Sequence, residues 1–89
     1  MVTITGDKVE FLFFRPHAHR VCLIGDFNAW RENELIMRQQ GRWWRATLFL
    51  PDGKYRFRYL ADGTPYCDYA AFGVEAGPHG FDSVLCVDS

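Results

Sequence analysis

Trp43-Trp44-Arg45-Ala46-Thr47-Leu48-Phe49-Leu50, then Pro51-Asp52-Gly53, then Lys54-Tyr55-Arg56-Phe57-Arg58-Tyr59-Leu60-Ala61 reads as two alternating runs around a turn. A period of two sends successive side chains to opposite faces of a strand, and aromatic residues suit such a half-buried surface. In the first run Trp44, Ala46, Leu48 and Leu50 form the cleaner apolar set and are expected to point inward. That leaves Trp43, Arg45, Thr47 and Phe49 on the outside. In the second run Tyr55, Phe57, Tyr59 and Ala61 point inward, and Lys54, Arg56 and Arg58 point outward. Asp52-Gly53 is the best hairpin signal in the chain and Pro51 suits the entry to a turn, so the two runs are expected to be neighbours.

Working outward, the same alternation predicts strands at residues 8–14, 20–24, 35–38, 65–67 and 83–87. Arg15-Pro16-His17, Gln40-Gly41 and Asp62-Gly63 punctuate them. No helical stripe interrupts the pattern. The expected fold is all-β, an immunoglobulin-like β-sandwich of about seven short antiparallel strands forming one domain over residues 1–89. The glycine-rich stretch 70–80 alternates weakly and is expected to be a surface loop.

The 89 residues are 48% hydrophobic and 17% aromatic, enough for a core without metal or disulfide. A net charge of −1 with mixed signs argues against binding nucleic acid through its phosphates. Three cysteines, Cys22, Cys67 and Cys86, follow no metal-binding spacing, and reduced thiols are preferred over a Cys22–Cys86 bridge. No apolar run is long enough to span a membrane and no signal peptide is visible, so a cytoplasmic location is expected. His17 and His19 beside Cys22 lack further converging ligands; a solvated loop explains them, and no metal or other cofactor is expected.

Ile24-Gly25-Asp26-Phe27-Asn28-Ala29-Trp30 puts an apolar strand end, a glycine, a polar turn and a large aromatic within a few residues. Asp26 and Asn28 can hydrogen-bond their own turn. An indole held just past a strand end either stacks on a flat ligand or folds back onto the core, and the local pattern allows both.

Taken in order, GDFNxW at 25–30, the run Trp44-x-Ala46-x-Leu48-x-Leu50-Pro51-x-Gly53-x-Tyr55, and the following Asp62-Gly63 resemble carbohydrate-binding module family 48, the early-set domain of isoamylases and branching enzymes. They are similar in particular to the glycogen-binding module of the AMP-activated kinase β subunit. The resemblance covers about residues 9–88 and implies an early-set sandwich that binds α-glucan, such as glycogen or maltooligosaccharide, without catalysis. The family site uses the tryptophan of FNxW, a second tryptophan just after DG, a lysine on the preceding strand and an asparagine before the last strand. By that resemblance the first tryptophan is Trp30 and the lysine falls on Arg58, which trades a point charge for a planar fork. The second tryptophan falls on Pro65, with Tyr66 beside it as a replacement plane, and the asparagine falls on Asp82.

Trp30, Arg58, Tyr66 and Asp82 are therefore the candidate carbohydrate-binding residues. The rival reading is an early-set module that has lost glycan binding and serves as a protein-interaction or scaffold domain. Outward-facing Trp43 and Phe49 would then contact a glycogen-metabolising enzyme or a second copy of this chain. Carboxylates are plentiful, but a glycosidase needs two at a set separation in a cleft, so no enzyme activity is expected.

Overall fold

The computed structural model describes residues 1–68, 73–77 and 80–88. It is all-β, with strands β1 (Val2–Thr5), β2 (Lys8–Phe14), β3 (Val21–Gly25), β4 (Leu35–Ile36), β5 (Arg38–Gln40), β6 (Trp43–Phe49), β7 (Gly53–Ala61), β8 (Thr64–Tyr66), β9 (Val74–Gly77) and β10 (Gly80–Val87). A single 3-10 turn occupies Asp26–Asn28. One antiparallel sheet has the order β1-β2-β6-β5; the other has β4-β3-β7-β10-β9, with β8 also paired to β7. The two sheets pack as an immunoglobulin-like sandwich of the early-set kind. Among the described residues no helix is long and apolar enough to cross a membrane.

The inward stripes meet as alternation predicts. Phe11 and Phe13 from β2 face Phe57 and Tyr59 from β7. Phe11 and Phe57 sit edge to face at 5.2 Å, and Phe13 stacks on Tyr59 at 4.4 Å. Val9, Phe11, Val21, Leu23, Phe57, Tyr59 and Leu85 are fully buried. Aromatic contacts of this kind add about 0.5–1.5 kcal/mol per pair beyond area burial. Burial, then the charge of Asp68, pushes the Tyr59 phenol well above its ordinary range, so it stays neutral and donates to Asp68 Oδ2 at 2.7 Å. Ser83 completes the buried polar set, accepting from Asp68 N and donating to Phe57 O, both at 2.9 Å.

Four expectations need correction. The first concerns the runs on either side of Asp52-Gly53, which do not pair. β6 lies between β2 and β5, whereas β7 lies between β3 and β10 in the opposite sheet. Both runs carry a full apolar stripe, and two such stripes pack face to face. The Asp-Gly hairpin is the other one: Ala61 pairs with Thr64, with Asp62 and Gly63 at φ 49 and 85 between them. Two successive positive φ values give the primed turn that matches strand twist.

The second correction is at residues 35–38, which form two strands, not one. Leu35–Ile36 pairs with β3 and Arg38–Gln40 pairs with β6, while buried Met37 crosses between sheets and donates its N–H to Val21 O at 2.8 Å. The third concerns stretch 70–80, which includes strand β9, paired to β10 from Val74 to Gly77; residues 70–72 and 78–79 of that expected loop lie outside the described residues. The fourth is the number of strands. With β1 also present the described residues hold ten, not about seven.

Candidate functional site

β3 leaves the sheet at Gly25, where a Cβ would meet Arg56 O at 2.5 Å and Phe57 Cβ at 2.9 Å. Its backbone is extended, so what glycine supplies here is space. The turn that follows is tied by Asn28, whose buried amide accepts from Gly25 N and donates to Arg31 O, each at 3.1 Å. Ala29 and Trp30 then adopt left-handed backbones, φ 56 and 59. Such conformations cost non-glycine residues about 1–3 kcal/mol each. Trp30 N donates to Gly25 O at 2.9 Å and Arg31 N to Asn28 O at 3.2 Å, which offsets that cost.

The result is a half-buried indole turned back over the outer face of the six-stranded sheet. Its Nε1 donates to Asp26 Oδ1 at 3.2 Å, and Asp26 Oδ2 accepts from Arg56 N at 2.9 Å. Asp26 therefore ties the tryptophan to β7. Arg58 pairs with Ile24 in the register of β3 and β7, and its guanidinium carbon lies 5.6 Å from the centre of the Trp30 ring. That is cation–π distance. Arg58 Nε donates to Asp82 Oδ1 at 2.6 Å, and Arg56 Nη1 lies 3.8 Å from Asp82 Oδ2. Arg56 also donates to Glu75 Oε1 at 2.8 Å, and Lys54 holds the other oxygen of Glu75. The Lys54 hydrogen bond, reinforced by Arg56, keeps the Glu75 carboxyl below the usual carboxylate range.

Trp30, Asp26, Arg56, Arg58 and Asp82 line a groove of about 520 Å³. Its lining also takes in Glu32 and Ile24, with Arg56 and Arg58 coming from β7, Asp82 from β10, and Ile24 and Asp26 from the end of β3 and the turn after it. Chemically it offers one aromatic plane, guanidinium donors and carboxylate acceptors. A second groove of about 480 Å³ lies between β4 and β6, lined by Leu35, Ile36, Arg38 and Leu48 among others, and has no aromatic wall.

Trp30, Arg58 and Asp82 are thus brought together, and Tyr66 is not. Tyr66 pairs with Tyr59 and shares its inward face, 5.7 Å from Phe13. Arg15 covers its ring at 4.2 Å and hydrogen-bonds its hydroxyl. Pro65 pairs with Leu60 on the face of Arg58, so a shift of one residue carries the aromatic through the sheet. Asp82 is in the groove wall, but its side chain is only 3% exposed. Trp43 and Phe49 do face outward, 41% and 68% exposed. They do not form a pair, because Arg45 and Thr47 lie between them on the same face, and Trp43 packs on Phe14 at 5.1 Å. All three cysteines are free.

Alternation places Arg56 on the outward face but singles out neither Glu75 nor Gly77. The one signal for Glu75 is the i, i+2 spacing of Lys54, Arg56 and Arg58, which favours acidic cross-strand partners on the same face.

The profile of carbohydrate-binding module 48 (isoamylase N-terminal domain) matches residues 2–68. The chain is also similar to the 1,4-alpha-glucan branching enzyme GlgB of Mycobacterium ulcerans (strain Agy99), 40% identical over 87 residues that cover 90% of this chain and 12% of that enzyme. The same figures hold for GlgB of Mycobacterium tuberculosis (strain ATCC 25618 / H37Rv). GlgB of Mycobacterium sp. (strain KMS) is 42% identical over 79 residues, 81% of this chain and 10% of the enzyme. The chain thus spans only 10–12% of the length of these relatives. It belongs to carbohydrate-binding module family 48, the isoamylase N-terminal domain.

Proposed function

We propose that this domain binds uncharged α-1,4-glucan, such as glycogen or maltooligosaccharide, in the groove beside Trp30 and carries out no catalysis. The observation that carries the reading is the pinned indole with Arg58 against it. A pyranose presents an apolar C–H face to an aromatic plane and hydroxyls to donors and acceptors at its rim. Trp30 supplies the plane. Arg58 uses Nε on Asp82, and among the described residues nothing holds its terminal nitrogens, which address hydroxyls. Glu32 is an acceptor at the rim, and the groove volume lies within the about 300–1,000 Å³ range of ligand sites. With Tyr66 on the inward face there is a single stacking plane, so the affinity is weak, with Kd on the order of 0.1–1 mM.

The carboxylates are poor candidates for hydrolysis. Asp82 is matched by two guanidiniums and Asp26 is committed to Trp30 and Arg56. A glycosidase pair needs one acid kept protonated across the bond from a second carboxylate. The relatives named above are branching enzymes, which makes a glucan-metabolising enzyme the natural partner for a glucan-holding module. Free thiols suit a reducing compartment such as the cytoplasm.

Titrating maltoheptaose or β-cyclodextrin against intrinsic tryptophan fluorescence tests the proposal. A saturable change that Trp30→Ala abolishes supports it. Absence of binding at about 10 mM ligand, weaker than the millimolar end of the affinity scale, removes it. Reducing-sugar release that survives purification and disappears on carboxylate substitution would overturn the non-catalytic reading. A protein-contact role finds one specific support, the exposed Phe14–Trp43 pair, and that pair lies on the other sheet.

A further inference from the structure

Lys54, Glu75, Arg56, Asp82 and Arg58 alternate in sign across the outer face of the six-stranded sheet, and the series ends against the Trp30 ring. The three cations come from β7. The two carboxylates come from β9 and β10, where Asp82 and Glu75 are register partners. Asp82 is the least exposed member, 3% against 15% for Arg58 and 35% for Arg56. Its two oxygens face different guanidiniums, Oδ1 toward Arg58 and Oδ2 toward Arg56. A carboxylate so covered, in the groove wall, has its acceptor capacity taken up by the two guanidiniums beside it. Room for it comes from Gly77, where a Cβ would fall against Asp82 Oδ2 and lie 3.5 Å from Arg56 Nη1.

We infer that Asp82 is a positioning residue that acts on the sugar only through Arg58, and that Gly77 is the space that lets it do so. Asp82 holds the Nε edge of the guanidinium, which fixes the planar fork against the indole and leaves the terminal nitrogens for hydroxyls. An arginine without that anchor keeps many rotamers and loses more entropy on each contact it makes. The inference rests on the glucan reading and refines it, since the resemblance assigns position 82 to direct sugar contact.

A double-mutant cycle with maltoheptaose as ligand, followed by NMR, tests it. Asp82→Ala and Arg58→Ala each weaken binding by about three- to tenfold, as lost charge-assisted hydrogen bonds do. The double variant binds no worse than Arg58→Ala alone, because coupled residues are non-additive. Losses that multiply would overturn the inference, since Asp82 would then meet the sugar itself. Gly77→Ala removes no polar group and displaces the carboxylate. It weakens binding when Arg58 is present and has no effect when Arg58 is alanine, and it serves if Asp82→Ala does not fold. The indole N–H signals supply a readout that needs no ligand. In folded Asp82→Ala and Gly77→Ala the Trp30 signal moves while those of Trp43 and Trp44 stay in place; an unmoved Trp30 signal overturns the inference. If the unsubstituted protein binds no maltoheptaose, the glucan reading fails, and the indole signal still decides the positioning claim.

Discussion

The outer faces of the two sheets both present tryptophan and arginine, and they hold them in different ways. On β6, Trp43 leans on Phe14, Arg45 pairs with Glu10, and Phe49 stands at the far end of the strand. Each contact there is local to a strand pair. Around β7, Trp30 arrives from a connection after β3, is pinned by Asp26, and meets Arg58, which β10 holds through Asp82. Three separate stretches of chain, the connection after β3, β7 and β10, contribute to holding one indole. Exposed aromatic area is present on both faces, but only the second face has its aromatic oriented from several directions with polar groups at its rim. Preorganisation of this kind lowers the cost of ordering side chains on binding, and it is what separates a site from a patch.

The comparison can be broken most severely at the frame both faces share. Phe57 is fully buried, packs edge to face on Phe11 and Tyr59, and precedes Arg58 on β7. Phe57→Ala is expected to cost about 3–5 kcal/mol through cavity formation, read by urea denaturation. A loss below about 1 kcal/mol would mean that the inner face of β7 does not hold the outer one in place. The next largest effect separates the faces directly. Trp30→Ala weakens maltoheptaose binding by at least about tenfold, while Trp43→Ala changes it by less than about twofold. Equal losses in a titration of the two variants would erase the distinction.

Smaller effects sharpen it. The Glu75 carboxyl is held below its usual range by Lys54 and then Arg56, so its ion pairs are complete above the ordinary carboxylate pKa and are lost as pH falls through the lowered one. Affinity and the Trp30 indole signal should be flat from about pH 8 to about pH 5 and decline only below about pH 4. A decline between about pH 7 and about pH 5 would show that another group governs the groove. Smallest of all, Tyr66→Phe should leave glucan affinity within about 1.5-fold and cost under about 1 kcal/mol, because the lost hydroxyl serves exposed Arg15. A larger affinity loss in titration would bring Tyr66 back to the sugar.

The inward and outward sets on β6 and β7 were legible because a half-buried strand writes its facing into a period of two. The placement of Trp30 beyond a strand end was legible for a related reason, the abrupt change from apolar run to polar turn. Strand partnership was less legible. Asp52-Gly53 and Asp62-Gly63 are the same dipeptide, yet one links the two sheets and the other closes a hairpin. Local turn chemistry permits both outcomes. What decides is that β7 already has β3 and β10 along its edges, information held by residues far away in the chain. Tyr66 lies on the inward face, away from Trp30, because one position along a strand is a change of face. Glu75 and Gly77 lie in a stretch whose glycines hide its alternation, and one of those glycines is required by a carboxylate that comes later in sequence.

The most direct test of the central claim is an NMR titration of maltoheptaose that follows the three tryptophan indole N–H signals together. The account predicts that the Trp30 signal moves and saturates with Kd on the order of 0.1–1 mM while the Trp43 signal stays still. Movement of Trp43 in place of Trp30, or no movement of either at about 10 mM, would contradict it.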